Sequence, residues 1–187
     1  ALADLAAMPE DLRGDWTTLL SHCKSATAAA PTPAWSKKAT FALESIGLQE
    51  FKSRVLRWFP LVDQPRTRHE TQYHDDFIMD THTDVLRGLA WCSSTSEDHE
   101  LSRALGRLAI SAYRKVPGFG PRAAKVGNAA ILALGMMPGR EGIHQLSLLK
   151  LRLKVRPAQA AIEKALSAAA DRAGLPTDEI DEMVVPA

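Results

Sequence analysis

No apolar run in this chain approaches the ~20 residues that a membrane-spanning helix needs, so no membrane partner is expected. Cysteine is nearly absent. Cys23 and Cys92 give neither a disulfide framework nor a zinc spacing, which suits a reducing cytoplasm and two core thiols. The phosphate-binding glycine loop, the nucleophile elbow and the dinucleotide fingerprint are all missing. Ala1 to Met8 lack the basic flank and apolar stretch of a signal peptide. No methionine begins the chain, and it ends abruptly at Val184-Val185-Pro186-Ala187, so a piece of a longer cytoplasmic protein is expected.

Acids are scarce in the middle of the chain. Residues 101–156 hold eleven Lys/Arg against the single acid Glu141, a balance of +10. Residues 1–100 balance at −5 and residues 157–187 at −4, so the overall +1 hides a strongly basic centre. Such a block fits an anionic partner, a set of solvated helix faces, or a surface that docks on acidic neighbours. With 45% hydrophobic residues the chain can bury a real core.

The residues that are plentiful recur at helical spacing. Leu12, Trp16, Leu19 and Leu20 share one face, and Thr32-Pro33 reads as cap plus first turn of the next helix. That helix runs through Trp35, Ala39, Ala42 and Ile46 to Gly47, and another carries Phe51, Val55, Leu56 and Phe59 to Pro60. Residues 63–82 are polar and aperiodic, which predicts a linker between an N-terminal helical part, 1–62, and a second part, 83–187. Helices resume near Thr83. Leu101, Leu105, Leu108, Ala112 and Val116 form one apolar face, and Ala123, Val126, Ala130, Leu134 and Met137 form the next. Between them lies Val116-Pro117-Gly118-Phe119-Gly120-Pro121, with Pro117 expected to end one helix and Pro121 to start the other. Leu149 to Val155 alternates like a strand but also carries a helical face with Ile143 and Leu146, and helix is the reading taken. Pro157 opens a helix closed by Gly174, and Thr177 starts a short last one. The fold class expected is all-α, with antiparallel helix pairs near 97–137 and 140–174 stacked as a HEAT/armadillo-like α-solenoid fragment. A compact helical bundle is the alternative.

Several stretches carry a resemblance together. They are Leu86-Arg87-Gly88-Leu89-Ala90-Trp91, Ala112 through Arg122, Lys125-Val126-Gly127-Asn128-Ala129-Ala130, and Ile162-Glu163-Lys164-Ala165-Leu166 with Ala168-Ala169-Ala170. In order and spacing this resembles the large bacterial proteins known as molybdate-metabolism-regulator-like, in which a WGR domain often occurs. The resemblance covers about residues 85–187, and no WGR motif is present. It implies a cytoplasmic bacterial protein and a helical repeat-like segment of something longer. It implies no activity, cofactor or catalytic residue.

Two constellations could carry chemistry. Val116 to Ala124 matches the helix-hairpin-helix pattern, in which glycine amides at a helix N-terminus hold a nucleic-acid phosphate. On that reading Arg114, Lys115, Gly118, Gly120, Arg122 and Lys125 form the site. The alternative is a tight interhelical turn. His69, His74, Asp75, Asp76, Asp80, His82 and Asp84 crowd one polar stretch, and imidazole with carboxylate suits a divalent metal. His74-Asp75 resembles the metal pair of the all-helical HD phosphohydrolases, but the further His and distant Asp of those enzymes are not evident; a metal site formed here would take His74, Asp75 and His82. Lone His22 and His144 read as structural, and Asn128 as hydrogen-bonded to neighbouring backbone. The function expected is a non-catalytic scaffold that packs on the rest of its own chain or on another protein, with no cofactor. Nucleic-acid backbone binding through 114–125 and metal-dependent phosphohydrolysis through 69–84 are the alternatives.

Overall fold

The computed structural model describes residues 2–64 and 77–174. Among them the chain is almost entirely helical: α1 (Leu2–Ala6), α2 (Glu10–Cys23), α3 (Pro33–Ile46), α4 (Leu48–Trp58), a 3₁₀ turn (Phe59–Asp63), α5 (Asp80–Cys92), α6 (His99–Tyr113), α7 (Ala124–Met136), α8 (Glu141–Arg152) and α9 (Arg156–Ala173). A two-stranded ribbon, β1 (Lys115–Val116) and β2 (Gly120–Pro121), joins α6 to α7. The all-α expectation holds.

Local chemistry sets the helix ends. Thr32 Oγ1 accepts from the Trp35 amide at 3.1 Å, with Pro33 in the first turn. Asp98 Oδ1 accepts from the Glu100 and Leu101 amides, both at 2.9 Å, and starts α6. Gly174 closes α9 in the left-handed region. The Leu149–Val155 ambiguity resolves as helix through Arg152, with Leu153 extended beyond it. The segment alternates in sequence, yet among the described residues it has no strand beside it to pair its backbone, so the helical face wins.

One continuous hydrophobic cluster runs from Met8 to Ala170 and draws on every helix from α2 to α9. Residues 1–62 and 83–174 therefore share a core. Trp16 packs on Phe51 (centroids 6.0 Å) and Trp58 (4.7 Å), tying α2 to α4. Trp35 meets Trp91 edge-on at 5.1 Å and stacks on His22 at 4.6 Å. His22 Nε2 also bonds the Trp35 carbonyl at 3.0 Å, which gives this histidine a structural place. Where α5 crosses α2, Gly88 lies against Cys23 so closely that a Cβ there would sit 2.6 Å from the Cys23 Cα. Only a residue without a side chain lets the two backbones approach this far.

α7 is the hub. It is apolar nearly all round, as a central helix must be, and it packs against α5, α6, α8 and α9. The end of α6 meets the start of α7, where the ring of Tyr113 covers Gly127, so these two helices run antiparallel. α6 and α8 run the same way: His99 Nδ1 contacts Glu141 Oε2 at 2.8 Å, and farther along Gln145 lies against Gly106. α7 and α9 meet at their C-terminal ends, where Arg172 donates to the Gly135 carbonyl at 2.6 Å.

Three expectations change. α6 stops at Tyr113 rather than at Pro117, and α7 begins at Ala124 rather than at Pro121. α5 begins at Asp80, inside the stretch expected as linker. The expected helix from Thr177 lies outside the described residues, as does 65–76 of the linker.

Candidate nucleic-acid interface

The segment 114–125 departs from the helix-hairpin-helix geometry that its pattern suggests. Proline disfavours helical backbone in the residue before it. Here Arg114 is already extended (φ −53°, ψ 130°), and Lys115-Val116 pairs with Gly120-Pro121 as an antiparallel ribbon. Gly118 (φ +81°) and Gly120 (φ +105°) occupy the left-handed region that L-residues avoid. The Phe119 amide closes the turn on the Val116 carbonyl at 3.1 Å. Both glycines belong to the tip of a β-hairpin, with Gly120 four residues before α7 begins. Their amides do not sit at a helix N-terminus, so the expected phosphate clamp is not assembled.

Of the six expected site residues, Arg114, Lys115 and Lys125 are exposed, and Gly118 and Gly120 form the tip. Arg122 is a correction. Its side chain is buried. It donates to Asp63 Oδ1 at 2.7 Å, to Ser111 Oγ at 3.0 Å and to the Val62 carbonyl. Ser111 also donates to the same Asp63 oxygen at 2.7 Å. Arg122 therefore latches the base of the hairpin to the 3₁₀ turn after α4, and cannot offer its guanidinium to a phosphate outside. Nothing in the local pattern marks Asp63, 59 residues earlier, as its partner. At the tip, Phe119 is 68% exposed and meets Phe77 edge-on at 5.5 Å. Asn128 accepts from the Tyr113 hydroxyl rather than from backbone, which joins α7 to α6 at the hairpin's base.

Sequence reading of the hairpin missed the outer side of α6. Beyond the exposed His99 and Glu100 of its first turn, its buried residues leave only a narrow stripe of Arg103, Arg107 and the half-buried Ile110, which leads to Arg114. The signal was legible as four-, three- and four-residue spacings complementary to the apolar face. Arg103 and Arg107 make no ion pair among the described residues, and Arg114 only approaches Asp63 at 3.7 Å. At the other end of α6 the acids share one cation: Lys52 from α4 reaches Asp98 at 2.6 Å and Glu100 at 2.7 Å. Burial alone would raise the Asp98 pKa. Hydrogen bonds from Lys52 and from the Leu101 and Glu100 amides outweigh it and hold the carboxyl below its ordinary value.

No family model, curated protein or solved structure matches this chain. The site must therefore be read from its own geometry.

The metal constellation does not form among the described residues. His82 lies exposed on the first turn of α5, Asp84 pairs with Arg87 at 3.2 Å, and His74 and Asp75 fall outside the described residues. No group of three or more His, Cys, Asp or Glu placed to hold a metal occurs among the described residues. An open cavity of about 290 Å³ lies between the starts of α5 and α7, lined by Phe77, Ile78, Asp80, Thr83, Arg122 and Lys125 among others. Arg122, its most buried charge, is already committed to the latch. Cys23 and Cys92 are both buried, and the hydrogen bond that the Cys23 thiol makes to Cys92, together with burial, pushes it well above its ordinary pKa. Neither is a nucleophile in this state.

Proposed function

We propose that this chain is a non-catalytic helical scaffold: a HEAT-like stack that belongs to a larger bacterial protein and presents its outer faces to the rest of that protein or to another one. The observation that carries this reading is the direction of the helices. α6 and α8 run the same way, and α7 packs against both of them and against α9. That is how successive repeats of a solenoid stack, and the exposed sides of such rows make extended binding surfaces. The resemblance to molybdate-metabolism-regulator-like proteins points the same way. α8 supplies an apolar edge, with Leu151 43% exposed and Leu148 half-buried beside it.

The test is a photo-crosslinker at position 151, with controls at the exposed Gly14 and Ala168. The expected result is one discrete adduct from 151 that Leu148→Asp removes. Absence of any discrete adduct from 151 would overturn the reading. So would metal-dependent turnover of phosphate esters by the same protein.

A further inference from the structure

We propose that Arg103, Arg107 and Arg114, with Lys115 at the foot of the hairpin, form a strip that takes the phosphate backbone of a nucleic acid without reading its sequence. This is separate from the scaffold reading, and it moves the binding site from the hairpin's glycines to the outer side of α6.

Geometry and charge carry it. Among the described residues α6 touches α4, α7, α8 and the 3₁₀ turn, and past its first turn a single stripe of its surface is left uncovered. Four helical residues rise about 6 Å, which spreads the three arginines over about 16 Å in a line. Lys115, exposed, extends the line beyond the helix. Like charges four residues apart on a helix cost stability. Arg103 and Arg107 are such a pair, and an acid at either position would serve solubility and the helix better. The fold does not ask for this row of one sign.

Among the described residues Arg103 and Arg107 have no ion-pair partner. Lys52 pairs with both Asp98 and Glu100 at the start of α6, and Asp63 at the far end is held at 2.7 Å by Arg122, leaving Arg114 a distant second at 3.7 Å. Planar guanidinium forks match phosphate oxygens two at a time. A stable protein interface needs a buried apolar centre, and the only aliphatic side chain in this stripe is the half-buried Ile110. The strip therefore favours a phosphate backbone over an acidic polypeptide. No base-reading element accompanies it, so contacts would position and not specify.

The test is fluorescence anisotropy of the full chain with labelled random duplex, titrated with salt. Four phosphate contacts give a log–log slope of about −3.6, so affinity should fall about 150-fold from 50 to 200 mM salt. Arg103→Gln/Arg107→Gln should reduce the slope to about −1.8, and the same fall to about 12-fold. The distant pair Lys37→Gln/Lys38→Gln on α3 should leave the slope unchanged. Both variants change exposed side chains, and circular dichroism confirms that each is folded. No binding at 50 mM salt would overturn the proposal. So would equal effects of the two double variants, which would mean mere stickiness. Poly-glutamate binding as tight as duplex would also overturn it, because an acidic polypeptide would then be the better partner. None of these outcomes alters the crosslink from position 151.

Discussion

Arg122 separates folding from binding most cleanly. The local pattern offers it as a phosphate ligand, whereas its surroundings make it a latch. Arg122→Gln removes a buried charge that donates to Asp63, Ser111 and the Val62 carbonyl. Breaking a fully buried ion pair costs about 3–5 kcal/mol. Asp63 is 46% exposed, however, and water can take over much of its solvation. Ser111 keeps its bond to Asp63, and what remains to be lost is a weakened ion pair and the charged donor to the Val62 carbonyl, at about 1–3 kcal/mol for a group left unsatisfied. A net loss of about 2–3 kcal/mol follows, which for a chain of this length lowers Tm by about 4–12 °C. Urea denaturation read by tryptophan fluorescence measures it, with salt-titrated anisotropy on the same sample. Arg122→Gln should shift the urea midpoint and keep the salt slope, while Arg103→Gln/Arg107→Gln should do the reverse. A midpoint shift worth under about 0.5 kcal/mol, the range of an ordinary surface change, would refute the latch. A slope reduced by Arg122→Gln would mean that its guanidinium does reach the polyanion.

Other outcomes follow from single positions. Gly88→Ala should destabilise despite the gain in helix propensity of about 1 kcal/mol, because the new Cβ meets the Cys23 backbone at 2.6 Å. Gly14→Ala, with nothing within 4 Å, should stabilise by about that amount, and matched urea midpoints test the opposite signs. Gly118→Ala/Gly120→Ala forces two L-residues into positive φ at about 1 kcal/mol or more each. It should lower Tm without changing the salt slope, and an altered slope would return the phosphate to the glycines. Asp98→Ala removes the α6 cap at about 1 kcal/mol at pH 7. The folded-state pKa of Asp98 lies below its ordinary value, so this contribution is present above about pH 4 and fades as pH falls through the native pKa. Wild-type and variant midpoints should therefore converge toward pH 2, and a gap unchanged by acid would refute the cap. Native protein should resist thiol labelling at pH 8 and label at both Cys23 and Cys92 once unfolded; rapid native labelling would contradict their burial.

Most helices were legible because their chemistry is local. Thr32-Pro33, Gly47 and Gly174 punctuate the chain where the helices end, and the apolar faces of α2, α3, α6 and α9 repeat at helical spacing. The connection between α6 and α7 was not, because two readings of Pro117 compete. Proline can end a helix, and it can also force its predecessor out of one. The second effect prevails here, and the helix ends at Tyr113 with extended residues before the proline. The role of Arg122 was hidden for another reason: its partner Asp63 is distant in sequence and lies in a segment without periodicity. Arg103 and Arg107 were legible in principle, since a helix that buries 101, 105, 108 and 112 must expose what lies opposite.

The two helix pairs also differ in what joins them. α8 and α9 are connected by residues 153–155 alone, whereas α6 and α7 are connected by residues 114–123. Three residues suffice to connect two helices that pack on each other, so the longer connection is surplus to that need. The surplus is not left loose. Its base is latched through Arg122 to Asp63, and a hydrogen bond from Tyr113 to Asn128 joins the flanking helices there. The amides of Arg122 and Ala123 bond the carbonyls of Arg114 and Ala112 at 2.9 and 2.8 Å. The consequence is positional. Arg114 and Lys115 leave the helix on a fixed ribbon, in line with Arg103 and Arg107, where a free loop would have let their charges wander. Fixing a cation before it meets an anion saves the entropy of ordering it at binding. On the proposed reading the hairpin serves the arginine strip by holding its end in register, with the glycines shaping the ribbon and the arginines left to meet the anion.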